Sequence, residues 1–111
     1  WGWESFPEYL DVLDSESRAL DLAAQVPHAA VRAYVMGEAG ATDVDANAEQ
    51  RAAMARLVGE AVRAGAVGFS TSRTVLHRSI DGAVVPGTNA DALELVTIAD
   101  AMGEAGGAVF E

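Results

Sequence analysis

A capped amphipathic helix that stops at a glycine and empties into a short apolar stretch leaves this chain few folds to choose from. Asn47 and Gln50 spell a capping box, and Met54, Leu57, Val58, Ala61 and Val62 recur on one helical face, with Arg56, Glu60 and Arg63 opposite. Gly65 stops the helix. Residues 66–73, AVGFSTSR, then set the strand formers Val67 and Phe69 among small residues before turning into Ser70, Thr71, Ser72 and Arg73. A strand with an apolar middle and a polar end reads as the outlet of a parallel strand in an α/β protein, where ligands meet the carboxyl ends of strands.

The rest of the chain repeats this alternation. Ser5 and Glu8 form another capping box with Pro7 in the first turn, and Phe6, Tyr9, Leu10 and Leu13 give a short helix that ends in the polar cluster at 14–17. Leu20, Leu22, Ala24 and Val26 alternate with Asp21, Ala23 and Gln25, a strand pattern stopped by Pro27. Residues 28–36, HAAVRAYVM, fit both periods, and their alanines favour helix. After Gly37 and Gly40, the side chains Asp43, Asp45 and Asn47 imitate the first ligands of a calcium loop. Ala48 stands where that loop needs glycine and Met54 where it needs a closing Glu, so helix capping is the better reading. Residues 75–87 form a loop with Asp81-Gly82 and Pro86-Gly87 as turn dipeptides. Thr88 or Asn89 is expected to cap a further helix with the stripe Ala92, Leu95, Val96, Ala99 and Met102 and with Gly106 as its C-cap. Ala108, Val109 and Phe110 open a last strand.

The expected order is strand, helices, strand, helix, strand, with crossovers long enough for parallel pairing. The fold class is therefore α/β. Three parallel strands leave two open edges, so the chain is expected to be an arc of a larger sheet, a (β/α)8 TIM-type barrel of typically about 250 residues. On this reading residues 1–111 are a single segment of a barrel domain, incomplete at both ends. The opening WGWESF, without an initiator methionine, suggests a start inside a longer product.

Composition removes several chemistries. The formal charge of -10 argues against nucleic acid and anionic membrane surfaces as partners. All 7 basic residues are arginines, which excludes a lysine Schiff base or a carboxylated lysine bridge, and the absence of cysteine excludes disulfides and thiolate ligands and fits a cytoplasmic protein. No apolar run reaches the ~18 residues of a membrane span, and the start at Trp1 lacks the basic region of a signal peptide.

Three blocks, VPHAAVRAYVMG (26–37), EAVRAGAVGFSTSR (60–73) and PGTNADALELVTIADAMGEAGGAVFE (86–111), stand in an order and spacing that resembles the N-acyl-D-amino-acid deacylase branch of the amidohydrolase superfamily. The resemblance covers most of the chain. It implies a metal-dependent barrel enzyme that cleaves the amide of a small-molecule substrate, an N-acyl-D-amino acid or a related amide, with a zinc-activated water. It also implies that the paired histidines and the cysteine lie before Trp1, and the further histidines and the catalytic aspartate beyond Glu111. The zinc would then belong to the parent enzyme. This segment holds none and is silent in isolation, with Glu111 near where a ligand belongs. The family's usual Thr-His pair has no match at Val109, Phe110 and Glu111.

Within the segment, substrate contacts are expected from Ser70, Thr71 and Arg73 at the central strand's outlet, with Arg73 able to grip a carboxylate bidentately. His28 at the end of the first strand and His77 in the loop join them as candidates. Each has a plain alternative: hydroxyls that cap backbone groups, an arginine paired with surface acids, an ordinary hydrogen-bonded histidine, a solvated loop. The run from Gly68 to Ser72 imitates a nucleophile elbow but lacks its last glycine and a helix directly after it. Asp14, Glu16, Glu94 and Asp100 read as solvated faces. A competing class is a small α/β module that associates with itself, or with the remainder of a split barrel, through its open edges and has no catalysis.

Overall fold

A computed structural model describes residues 2–42 and 44–111; Trp1 and Asp43, the latter part of the calcium-loop imitation, lie outside the described residues. Seven elements alternate along the chain: α1 (Phe6–Ser15), β1 (Gln25–Pro27), α2 (His28–Met36), α3 (Ala48–Ala64), β2 (Gly68–Ser70), α4 (Ala92–Glu104) and β3 (Val109–Phe110), with a 3-10 segment Gly37–Ala41 after α2. The strands form one parallel sheet in the order β1-β2-β3. Val26 pairs with Phe69 and Phe69 with Phe110, so β2 is central and the other two strands are edges.

Local chemistry explains the helix ends. Both capping boxes form: Ser5 and Glu8 close the start of α1, and Asn47 and Gln50 close the start of α3. Gly65 follows α3 at φ 118°, a left-handed conformation that glycine adopts without a Cβ penalty, and so turns the chain into β2. Residues 28–36 are helical, as their alanines favour.

Several boundaries differ from the sequence expectation. The strand expected over 20–26 shrinks to Gln25–Pro27, and Leu20 and Leu22 are exposed, because pairing with the β2 segment reaches back no further than Ala24, whose carbonyl accepts from the Val67 amide. Residues 66–73 likewise form a ladder only over Gly68–Ser70. Neither Thr88 nor Asn89 caps α4. Asp91 does, its carboxylate accepting from the backbone of Leu93 and Glu94. The C-cap is Ala105, with Gly106 one residue beyond it at positive φ.

The core lies where α3 and α4 cross the sheet. Met54, Val58, Ala61, Phe69 and Ile98 have no exposed surface, and Val26, Val31 and Met102 pack around them. Each large member contributes about 1.5–3 kcal/mol by leaving water. The buried stripe of α4 is Glu94, Ile98 and Met102, whereas Val96 is exposed, so the helix is rotated from the stripe read in the sequence. Helix α1 buries no residue fully and leans on the body through Phe6. Among the described residues no helix is long and apolar enough to cross a membrane.

Candidate functional site

The carboxyl ends of β1 and β2 open on one side of the sheet, and the residues that follow them carry polar side chains. His28 comes directly after β1 and begins α2; Thr71 comes directly after β2. The ladder register pairs Pro27 with Ser70, which sets His28 beside Thr71. Their side chains meet, with Thr71 Oγ1 2.7 Å from His28 Nδ1. Beyond β2 the pairing with the third strand continues, the Thr71 amide donating to the Glu111 carbonyl and the Glu111 amide to the Phe69 carbonyl.

On its other side the His28 ring reaches a buried carboxylate. His28 Nε2 lies 2.7 Å from Glu94 Oε1, and Arg32 Nη1 donates to both Glu94 oxygens at 2.7 Å. His28, Arg32 and Glu94 are 1%, 2% and 1% exposed, so the cluster is sealed from water and stands or falls on its internal pairing. Arg32 also donates to the carbonyls of Gly40, Thr42 and Val44, the last at 2.5 Å. Those bonds tie the segment after α2 to the same guanidinium. Burial pushes the Glu94 carboxyl up, but hydrogen bonds from His28 and Arg32, together with the arginine's charge, outweigh it and hold the group below the ordinary carboxylate value.

The loop before α4 completes the enclosure. Gly87 packs against the His28 ring, and a Cβ there would run into His28 Nδ1 and lie 2.7 Å from Cε1. With φ at +89°, only glycine suits the position on both counts. Phe69 supports the ring from within the core, the two centroids being 5.2 Å apart.

Outside this cluster lies a cleft of about 390 Å3 whose walls include Pro27, His28, Ser70, Thr71, Ser72, His77 and Glu111. Four of the five residues singled out from sequence therefore meet at one place: His28, Ser70, Thr71 and His77. His77 Nδ1 is 3.1 Å from Ser72 Oγ, and the Glu111 carboxylate accepts from Gln25 Nε2 at 3.2 Å. Arg73 is not among the residues lining the cleft; its Nη1 donates to the Ala90 carbonyl at 2.6 Å. A larger hollow of about 550 Å3 lies between α1 and residues 16–24. It opens at the amino ends of the strands and contains no histidine, so the cleft at the carboxyl ends is the stronger candidate.

Two members of the buried cluster escaped the sequence reading. Glu94 was expected on a solvated face and is instead 1% exposed, because the burial stripe of α4 runs through it rather than through Val96. Arg32 carried no expectation. A usable signal existed in the spacing of His28, Val31, Arg32 and Met36, which share one face of α2 and are all buried there. An arginine on such a face demands an acid opposite.

Comparison with known proteins adds one likeness. No protein-family model matches the chain, and no solved structure matches it. A D-aminoacylase from Alcaligenes xylosoxydans xylosoxydans is 39% identical to it over 69 residues, which is 62% of this chain and 14% of that protein. The chain thus matches a small part of the length of that relative.

Proposed function

We propose that this chain is a sector of a parallel β/α barrel in an amidohydrolase-type enzyme that cleaves N-acyl-D-amino acids or related amides. The observation that carries the reading is the polar cleft at the carboxyl ends of three parallel strands, in a chain 39% identical over 69 residues to a D-aminoacylase. The sheet's two edge strands are where neighbouring barrel strands would add. In this reading the sector supplies one wall of the substrate site through Ser70, Thr71, His28 and His77. The buried Arg32–Glu94 pair is the rigid backing that fixes the His28 ring.

Zinc, implied by the resemblance, does not fit these residues alone. Among the described residues no group of three or more His, Cys, Asp or Glu side chains stands close enough to hold a metal ion. In this reading the metal ligands belong to other parts of the enzyme. What the present side chains do is orient. Arg32 holds Glu94, Glu94 holds the imidazole, the imidazole holds the Thr71 hydroxyl, and Thr71 lines the cleft.

The test is an assay of the complete translated product of the gene with N-acetyl-D-amino acids and their L counterparts, with zinc supplied and then chelated. D-selective, zinc-dependent hydrolysis is the expected result, and its absence overturns the reading. The 111-residue chain alone is expected to be silent in the same assay.

A second reading, an association module without catalysis, has its own support. Val109 and Phe110 on the edge strand are 56% and 41% exposed, and that edge has free ladder positions. Light-scattering mass separates the two readings when combined with the assay. A defined oligomer of an inactive complete product favours the module.

A further inference from the structure

The direction of the hydrogen bonds through the buried cluster has a consequence at its open end. Arg32 can only donate, and it donates to both oxygens of Glu94. The Glu94 carboxylate can only accept, so the hydrogen of the imidazole bond lies on His28 Nε2. Arg32 already matches the charge of Glu94, and a neutral imidazole completes the set without leaving an extra buried charge. The neutral ring with its hydrogen on Nε2 has a bare Nδ1, and a bare Nδ1 accepts. The hydrogen between His28 and Thr71, at 2.7 Å, must then be the hydroxyl's.

Every bond in the chain from Arg32 to Thr71 thus has one sense, and the Thr71 hydroxyl has spent its single proton. Its oxygen has no other hydrogen-bond partner among the described residues, and Thr71 lines the cleft. A hydroxyl in solution turns to suit a donor or an acceptor. This one is locked by a ring that is itself gripped by Glu94 and covered by Gly87. We infer that the Thr71 hydroxyl is a fixed hydrogen-bond acceptor for a ligand N–H, which makes Thr71 a specificity residue that selects secondary amides over amides lacking the N–H. The inference rests on the cleft being the substrate site, as proposed above, and it names which atom of the amide that wall reads.

The wall around Thr71 is mixed, since Ser70, Ser72 and His77 can donate as well as accept, and the fixed acceptor is Thr71. The cleft wall holds no arginine, and its one carboxylate, Glu111, is a further acceptor. At Thr71 and Glu111 a ligand N–H meets acceptors. A ligand presenting only acceptors meets an oxygen lone pair it cannot use.

The experiment is done by NMR on the complete translated product of the gene with its metal chelated, so that ligands are bound and not turned over. Nitrogen-15 shifts of the imidazole ring, read through their two- and three-bond couplings, report which nitrogen carries the hydrogen. His28 is expected as the Nε2–H form at neutral pH, with its Nδ1 shift moving when Thr71→Val removes the hydroxyl and staying when Thr71→Ser keeps it. An Nδ1–H ring or a doubly protonated ring overturns the inference whatever the catalytic outcome.

The same samples are then titrated with an N-acetyl-D-amino acid and with its N-methyl analogue, which lacks the N–H. The protein is expected to bind the secondary amide roughly 3- to 10-fold more tightly, the range of one neutral hydrogen bond, and Thr71→Val to abolish that preference. No binding of the secondary amide, or equal binding of the pair by the unsubstituted chain, overturns it. Preference for the N–H ligand in a protein whose complete product hydrolyses neither compound would sink the hydrolase reading and leave this one standing.

Discussion

Over its second and third turns α4 lies on α3 through Ile98 and Met102, apolar side chains that ask only for shape from Met54 and Val58. One turn earlier the same helix is held by Glu94, clamped between Arg32 and His28 with all three side chains out of water. The apolar seam contributes stability and tolerates exchange of like for like. The ionic end contributes little net stability against an apolar alternative, but it accepts one geometry and punishes all others. The end that faces the cleft is the one built for orientation, and the end away from it is built for adhesion.

Removing one partner of the ionic end is the harshest way to break that contrast. Arg32→Met leaves Glu94 buried without its counter-charge and is expected to cost about 3–5 kcal/mol in urea unfolding. The double variant Arg32→Met, Glu94→Met should recover most of that loss while His28 loses its fixed orientation. A double variant as unstable as the single one would show that the pair is needed for adhesion as well, and the contrast would fail.

The lid over His28 comes next. Gly87→Ala places a methyl against the ring and an L residue at φ +89°, for an expected loss of about 1–3 kcal/mol and a shifted His28 resonance. At the apolar end, Ile98→Val is expected to cost only about 0.5–1.5 kcal/mol and to leave the His28 shifts unchanged. A change at His28 from this substitution would mean the two ends of α4 are coupled.

The smallest effect is on pH dependence. Glu94 in the folded protein sits below its ordinary value of 4.5, so its contribution to stability is complete above that pH and is lost as pH falls through the lower folded value. Beyond the overall loss expected from leaving Arg32 without its counter-charge, Glu94→Gln should therefore flatten the acid limb of the stability curve and leave the curve near neutral pH with the same slope. An unchanged acid limb would mean that other carboxylates dominate it.

How much of this was visible beforehand follows from what each pattern encodes. The capping boxes at Ser5 and Asn47 and the stop at Gly65 are local, and residues a few positions apart decide them. They read correctly. The parallel order also followed, because the crossovers are long. Strand ends did not read correctly: Leu20 and Leu22 alternate properly but have no partner strand beside them, and alternation records a preference rather than a neighbour. The stripe of α4 misled because Glu94 was counted as polar and therefore outward. Its burial depends on Arg32, which stands 62 positions earlier, and no window of neighbouring residues shows such a pairing. His28, Ser70, Thr71 and His77 were legible as strand-end and loop residues, while their common cleft required the sheet register.

That register is short, resting on Gln25 with Gly68, Val26 with Phe69 and Pro27 with Ser70. Ladders of this length discriminate poorly between neighbouring alignments, since each shift by one residue loses few bonds but turns every side chain to the opposite face. The buried cluster makes up the deficit. A β1 displaced by one position would carry His28 off Thr71 and swing the head of α2 away from Glu94, stranding charge inside the protein. The histidine thus proofreads strand alignment: a sheet assembled one step out of phase has no way to satisfy Glu94 and Arg32 together, and only the aligned sheet closes.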